Sequence, residues 1–247
     1  MSYVRIVASL LISNKKLIKG KNFKNFKNAG CPVTTITALD SQKVDEFFLI
    51  DIDSYNNKKD PDFGLLKKIA EVSKTPITFG GGVKNLDMAK KIFLNGADKI
   101  FLNSVLFSNK GIVNEIALIY GSQAIVAGIN IIHRNGGHFL LEDQSMEIDP
   151  IAYAKQLEDL GVGELKITYT DLEGSQKGID NSYSKQINDK VKIPCIFEGG
   201  IGNLEHLYEF FDSGLKSIAI GTIIIFSDCN IIKIKSFLKN KKILVRL

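Results

Sequence analysis

Residues 80–104 read GGGVKNLDMAKKIFLNGADKIFLNS, and residues 198–222 read EGGIGNLEHLYEFFDSGLKSIAIGT. At one offset of 118 residues the two stretches share a glycine cluster, an Asn-Leu pair, an amphipathic run, a glycine and a short β-rich run. Val83 falls on Ile201 and Gly96 on Gly214, and further upstream Asp53 falls on Asp171. Each copy spells the same unit: a glycine turn, a helix opened by Asn and closed by Gly, then a strand. A sheet of four such units keeps two open edges, so two halves are expected to close on each other.

Working outward, short apolar runs alternate with amphipathic ones along the whole chain. The strand candidates are RIVASLLI (5–12), EFFLIDID (46–53), PITFG (76–80), DKIFLN (98–103), AIVAGIN (124–130), ELKITYT (164–170), PCIFEG (194–199) and SIAIG (217–221). Helical patterns lie between them, among them PDFGLLKKIAEVSK, NLDMAKKIFLNG, DPIAYAKQLEDLG and NLEHLYEFFDSG. Eight βα units in 247 residues is the arithmetic of an α/β fold of one kind, a single (β/α)8 TIM barrel built from two (βα)4 half-barrels. The expected organisation is one domain, 1–247, without a linker. A doubly wound open sheet is the alternative, although it usually has fewer and less evenly spaced units.

Composition narrows the function classes. The net charge of +5 comes from lysines spread over the chain, which favours solvated helix faces over a nucleic-acid patch. The basic tail IIKIKSFLKNKKILVRL has helical spacing and reads as a docked helix with a lysine-rich outer face, not a membrane anchor. Cys31, Cys195 and Cys229 are far apart and form neither a disulfide framework nor a zinc motif. No leader is expected before Arg5, and no apolar run is long enough to span a bilayer. A cytoplasmic chain without nucleic-acid or membrane partners, metal or cofactor is expected.

Several motifs could carry chemistry. Gly80, Gly81 and Gly82 follow the third strand and Gly199 and Gly200 the seventh; Asn103-Ser104 and Gly221-Thr222 follow the fourth and eighth. Such glycines either make tight turns or let backbone N–H groups approach an anion, and their duplication favours a ligand with two phosphates. Asp51 and Asp53 would share one face of a strand, as metal ligands, as an acid–base pair, or as loop caps. His133 and His138 flank an Asn-Gly-Gly turn signal and read as an exposed hairpin.

The stretches NFKNFKNAGCPV (22–33), FFLIDID, FGGGVKNLDMAKK, NGADKIFLN, YGSQAIVAGIN and LEDLGVGELKITYTDLEGSQKGID together resemble the HisF family over nearly the entire chain. That family is the cyclase subunit of imidazole glycerol phosphate synthase, a (β/α)8 barrel of two half-barrels. The resemblance implies a HisH-like glutaminase partner in a heterodimer, docked on the N-terminal face of the barrel. Ammonia would pass through the interior to a ligand with two phosphates. The family's gate of four charged side chains matches Arg5, Glu46, Lys99 and Glu164, each at a strand start. Four inward charges are expensive to bury without mutual pairing, so a plain stability role explains them poorly. Asp98 matches the glutaminase-facing rim. Lys19, Asp51, Gly82, Asn103, Gly174, Gly200 and Thr222 match positions where the family contacts phosphates or the substrate body. Gly81, Ser104, Asp171, Gly199 and Gly221 stand beside them as further candidates for binding substrate or phosphate.

The family's acid–base pair does not match. Its two aspartates, at the ends of strands one and five, correspond here to Leu11 and Asn130. Leucine carries no proton, and an amide does not trade one near neutral pH. The expectation is therefore a barrel that takes ammonia from a glutaminase and conducts it onward, without closing an imidazole ring. HisF-like chains with leucine at this position resemble those of surface-polysaccharide gene sets, where ammonia serves a separate sugar amidotransferase acting on an acetamido sugar. The alternatives are a true cyclase of histidine biosynthesis, a non-catalytic activator that binds a phosphorylated ligand, and an isomerase of the related histidine-pathway barrel.

Overall fold

The computed structural model describes residues 3–56, 59–143 and 148–246; the extreme ends of the 1–247 span lie outside the described residues. In chain order the strands are β1 (Arg5–Ser13), β2 (Lys16–Lys21), β3 (Lys24–Gly30), β4 (Glu46–Asp51), β5 (Ile77–Gly80), β6 (Lys99–Leu102), β7 (Ile125–Arg134), β8 (Gly137–Leu140), β9 (Glu164–Tyr169), β10 (Cys195–Glu198) and β11 (Ser217–Ile220). Eight of them, β1, β4, β5, β6, β7, β9, β10 and β11, pair in parallel in that order, and β11 returns to pair with β1. The closed wall is a (β/α)8 barrel.

Strand periodicity separates two cores. Ile6, Ala8, Leu10 and Ile12 of β1 join the large apolar layer between wall and helices, whereas Val7 belongs to a small inner cluster with Phe48, Phe101, Val126, Ile196 and Ala219. The side chains of one parity therefore look down the barrel axis, and these are the positions that can line an interior path. The half-chain echo is structural. β5 and β10, and β6 and β11, begin at the repeat offset, and Asn85 and Asn203 each cap their helix by accepting from the backbone N–H three residues on.

Two local expectations change, and one element is added. The second barrel strand stops at Asp51, and a helix runs over Ile52–Asn56, so Asp51 and Asp53 do not share a strand face. The cause is local: the Asp51 carboxylate accepts from the N–H groups of Asp53 (3.0 Å) and Ser54 (3.2 Å), which turns the chain. The basic stretch after β1 forms the hairpin β2–β3, which extends the wall beside the mouth. Finally, the helix Ile231–Asn240 does not face all its lysines outward. Lys235 is buried and pairs with Asp45 at 2.8 Å.

Candidate functional site

At the strand starts Arg5, Glu46, Lys99 and Glu164 meet in one closed ring of alternating charge. Arg5 Nη1 donates to Glu46 Oε2 at 3.0 Å and Nη2 to Glu164; Lys99 Nζ reaches Glu46 at 3.2 Å and Glu164 Oε2 at 2.8 Å. Both carboxylates are buried, whereas Arg5 and Lys99 keep 25% and 21% of their side-chain surface. Burial works against the Arg5 charge, but Glu164, Glu46 and Asp45 outweigh it and raise its pKa above the ordinary value. Thr78 Oγ1, from the next inward level, donates to Glu46 Oε1 at 2.6 Å and ties the ring to the barrel above it. Asp98, exposed on the same face, accepts from the Ile77 N–H at 2.8 Å and so caps the foot of β5.

The opposite end of the barrel divides into two sides. On one, a narrow pocket is lined by Lys19, Glu173, Gly174, Glu198, Gly199, Gly200, Gly221 and Thr222, with Ala219 deeper in. Six of the twelve expected substrate and phosphate positions are thus brought together: Lys19, Gly174, Gly199, Gly200, Gly221 and Thr222. Gly200 has φ of +83°, and a β-carbon there would strike the Gly178 carbonyl, whose residue bonds back to Gly200 at 2.7 Å. Its counterpart Gly82 has φ of +71° against Ser54. The turns therefore need glycine for backbone geometry, whatever binds there. Lys19 is not a free cation awaiting an anion; its buried ammonium is ion-paired with Glu173.

On the other side lie Asp51, Gly81, Asn103, Ser104 and the two substituted positions. Asp51 is buried and spent on backbone N–H groups, including that of Asp62 at 3.3 Å, and Gly81 packs against its backbone. Asp53 likewise accepts from Ser13 Oγ (2.8 Å) and from the Asn14 N–H (2.6 Å), holding the turn after β1. Both act as loop caps. Ser104 and Asp171 are exposed at the rim. Leu11 is 4% exposed and sits in register with Ile50 of β4 and Ile18 of β2, an apolar setting in which a carboxylate would have to be desolvated.

Asn130 has a partner that the sequence did not suggest. Its Nδ2 donates to Glu142 Oε1 at 2.6 Å, and Asn103 Nδ2 donates to the same oxygen at 3.1 Å. Glu142 follows β8, and the Leu141 N–H bonds the Asn130 carbonyl, so the hairpin carries this carboxyl back over the end of β7. Burial raises its pKa above the usual carboxyl value, and the two amides oppose that only in part. Burial and the charge of Glu142 push the Tyr153 hydroxyl up to about 12.

A second ionic group lies inside the barrel, on β9 and β10. Lys166 is 2% exposed; its ammonium pairs with Glu198, donates to Thr168 Oγ1 at 2.9 Å, and stands 4.8 Å from the Phe48 ring centroid and 5.7 Å from that of Phe101. Burial works against the Glu198 charge, but Lys166 and Lys19, with the Ser9 hydroxyl as donor, hold its pKa below the usual value. Strand parity was the signal available: Lys166 and Thr168 follow Glu164 at intervals of two, and all three face inward. Glu142 and Glu173 carried no such signal, because both stand on connections outside the wall.

His133 and His138 do face each other across the β7–β8 hairpin. His138 stacks on Tyr183 with centroids 3.8 Å apart and stands 3.4 Å from Asp180. Among the described residues no group of His, Cys, Asp and Glu is arranged to hold a metal ion, and no helix is long and apolar enough to cross a membrane.

The chain matches the family model described as histidine biosynthesis protein over residues 5–230. It is 34% identical to the imidazole glycerol phosphate synthase subunit HisF of Sulfurisphaera tokodaii, over the full length of both chains. It is 33% identical to that of Thermococcus onnurineus and 32% identical to that of Pyrococcus furiosus, with 98% of each chain covered in both cases.

Proposed function

This chain belongs to the HisF family, and on that premise we propose that it is an ammonia-conducting barrel without cyclase activity. A HisH-like glutaminase docks on the strand-start face around Asp98, releases ammonia from glutamine, and delivers it through the ring of Arg5, Glu46, Lys99 and Glu164. The nitrogen leaves at the mouth for a separate amidotransferase that acts on an acetamido sugar in surface-polysaccharide synthesis. A phosphorylated ligand is held at the mouth by the glycine turns, with Lys19 released from Glu173 to meet it.

The observation that carries this reading is the contrast along one axis: a closed four-charge ring at the base, and Leu11 at the position where the family's ring closure uses an aspartate. A ring of two cations and two anions, each side chain touching both neighbours, opens when one long side chain swings aside and leaves the apolar wall intact. A scaffold or simple activator has no need of it. One feature supports a residual cyclase instead, because Glu142 restores a carboxyl beside Asn130.

The isolated barrel, given ammonium and the bisphosphate substrate of the cyclase, is expected to form imidazole glycerol phosphate about a thousandfold more slowly than an intact family member. Leu11→Asp with Asn130→Asp should recover part of the rate. Turnover by the wild-type chain that is lost in Glu142→Gln would reinstate the cyclase.

A further inference from the structure

Register assigns successive inward side chains to levels of the barrel. Above the ring come Val7, Val126 and Ile196 with Thr78; next Phe48, Phe101, Lys166 and Ala219; then Ser9 and Glu198 beside Gly80 and Gly128. At the third of these levels, counting from the ring, the interior is full. A β-carbon at either Gly80 or Gly128 would strike the Phe101 ring, which stands edge-on to Phe48 with centroids 4.9 Å apart. The Lys166 head lies over both rings, 4.8 and 5.7 Å from their centroids, and Glu198 and Ala219 line the mouth pocket.

The surroundings of that head group are those an ammonium ion seeks. One carboxylate neutralises it, the Thr168 hydroxyl accepts a hydrogen bond, and two aromatic faces offer their negative quadrupoles. Burying a lysine and a glutamate on the axis, at two successive levels, gains little stability over an apolar pair of the same volume. We infer that Lys166 is a tethered placeholder in an ammonia site at the exit of the barrel, built from Glu198, Thr168, Phe48 and Phe101. This rests on the conduit reading above. Ammonia arriving from the ring takes a proton from the Lys166 ammonium and holds the seat as ammonium while the neutral Lys166 amine withdraws toward the mouth. The proton returns to Lys166 as ammonia leaves, so the seat is both a waystation and an inner gate.

The test uses the isolated barrel, needs neither glutaminase nor acceptor, and can fail while the conduit survives. Lys166→Ala empties the seat and leaves the Glu198 carboxylate without its nearest cation. Ammonium or methylammonium chloride should then raise the melting temperature of the variant by several degrees more than sodium or tetramethylammonium chloride at equal ionic strength. Wild type, with the seat filled, should not distinguish these salts. Adding Glu198→Gln to Lys166→Ala should abolish the difference.

An equal response of Lys166→Ala to all four salts overturns the proposal. If the variant folds only when prepared in ammonium or methylammonium, that supports the site. If it folds in none of them, the seat does not accept the free ion and the proposal fails. Failure of the conduit itself is read elsewhere, in the fate of nitrogen released from glutamine, and leaves this result standing.

Discussion

At the base of the barrel, Arg5, Glu46, Lys99 and Glu164 stand at the first residues of four wall strands and complete one another's pairing. At the mouth, charge is assembled from scattered places. Lys19 comes from a hairpin, Glu173 and Glu142 from connections, and Lys166 and Glu198 from the wall itself. The base is a single cyclic unit in which every member has two partners. The mouth is a set of local pairs from separate elements, coupled only at Glu198, which lies in the field of both Lys166 and Lys19. A ring depends on all its members, whereas a local pair can be exchanged as a unit.

Substitutions separate the ring from the pair. Glu164→Leu leaves Arg5 and Lys99 to share Glu46, and should cost about 3 kcal/mol in urea unfolding, near the lower end for a broken buried pair because both cations keep solvent contact. Lys166→Met with Glu198→Leu removes a whole pair and should change stability by less than about 1 kcal/mol in the same measurement. Equal losses in the two variants would make ring and pair energetically alike. Retained stability in the double variant would leave function as the reason for Lys166.

The smallest effect concerns pH. Burial raises the Glu142 pKa in the folded chain, so its proton favours folding: the stabilisation is complete below the unfolded carboxyl pKa and is lost as pH rises through the folded value. Glu142→Gln should flatten this part of the stability profile, gaining on wild type toward neutral pH. Unfolding curves taken at several pH values between 4 and 7 check it. A wild-type and variant difference that does not change over that window would contradict the assignment.

The wall was legible in the sequence because inward parity along a strand is a local property and its apolar runs are plain. The base ring was legible only through the resemblance to the HisF family, which singles out Arg5, Glu46, Lys99 and Glu164 among the many charged residues. The duplicated turns at Gly82 and Gly200 were legible because each demands a backbone that glycine adopts freely. The hairpin β2–β3 was not, since Lys16–Gly30 is rich in lysine and asparagine and its apolar residues Leu17, Ile18, Phe23 and Phe26 do not recur at a period of two. Asp51 and Asp53 were read as a strand pair because the sequence does not reveal that a carboxylate will turn the chain. Glu142 carries no local signal, because its partners Asn130 and Asn103 meet it only after the β7–β8 hairpin folds back.

The central claim is that nitrogen crosses the barrel through the base ring. Its most direct test is the ratio of glutamate released to acceptor aminated, in the complete system of barrel, glutaminase and amidotransferase, for wild type and Lys99→Ala. Lys99 holds both carboxylates of the ring, so removing it should leave glutamine hydrolysis largely intact while ammonia escapes, raising the ratio several-fold above wild type. If the ratio stays at the wild-type value while both rates fall together, the ring is structural and the barrel is not the conduit.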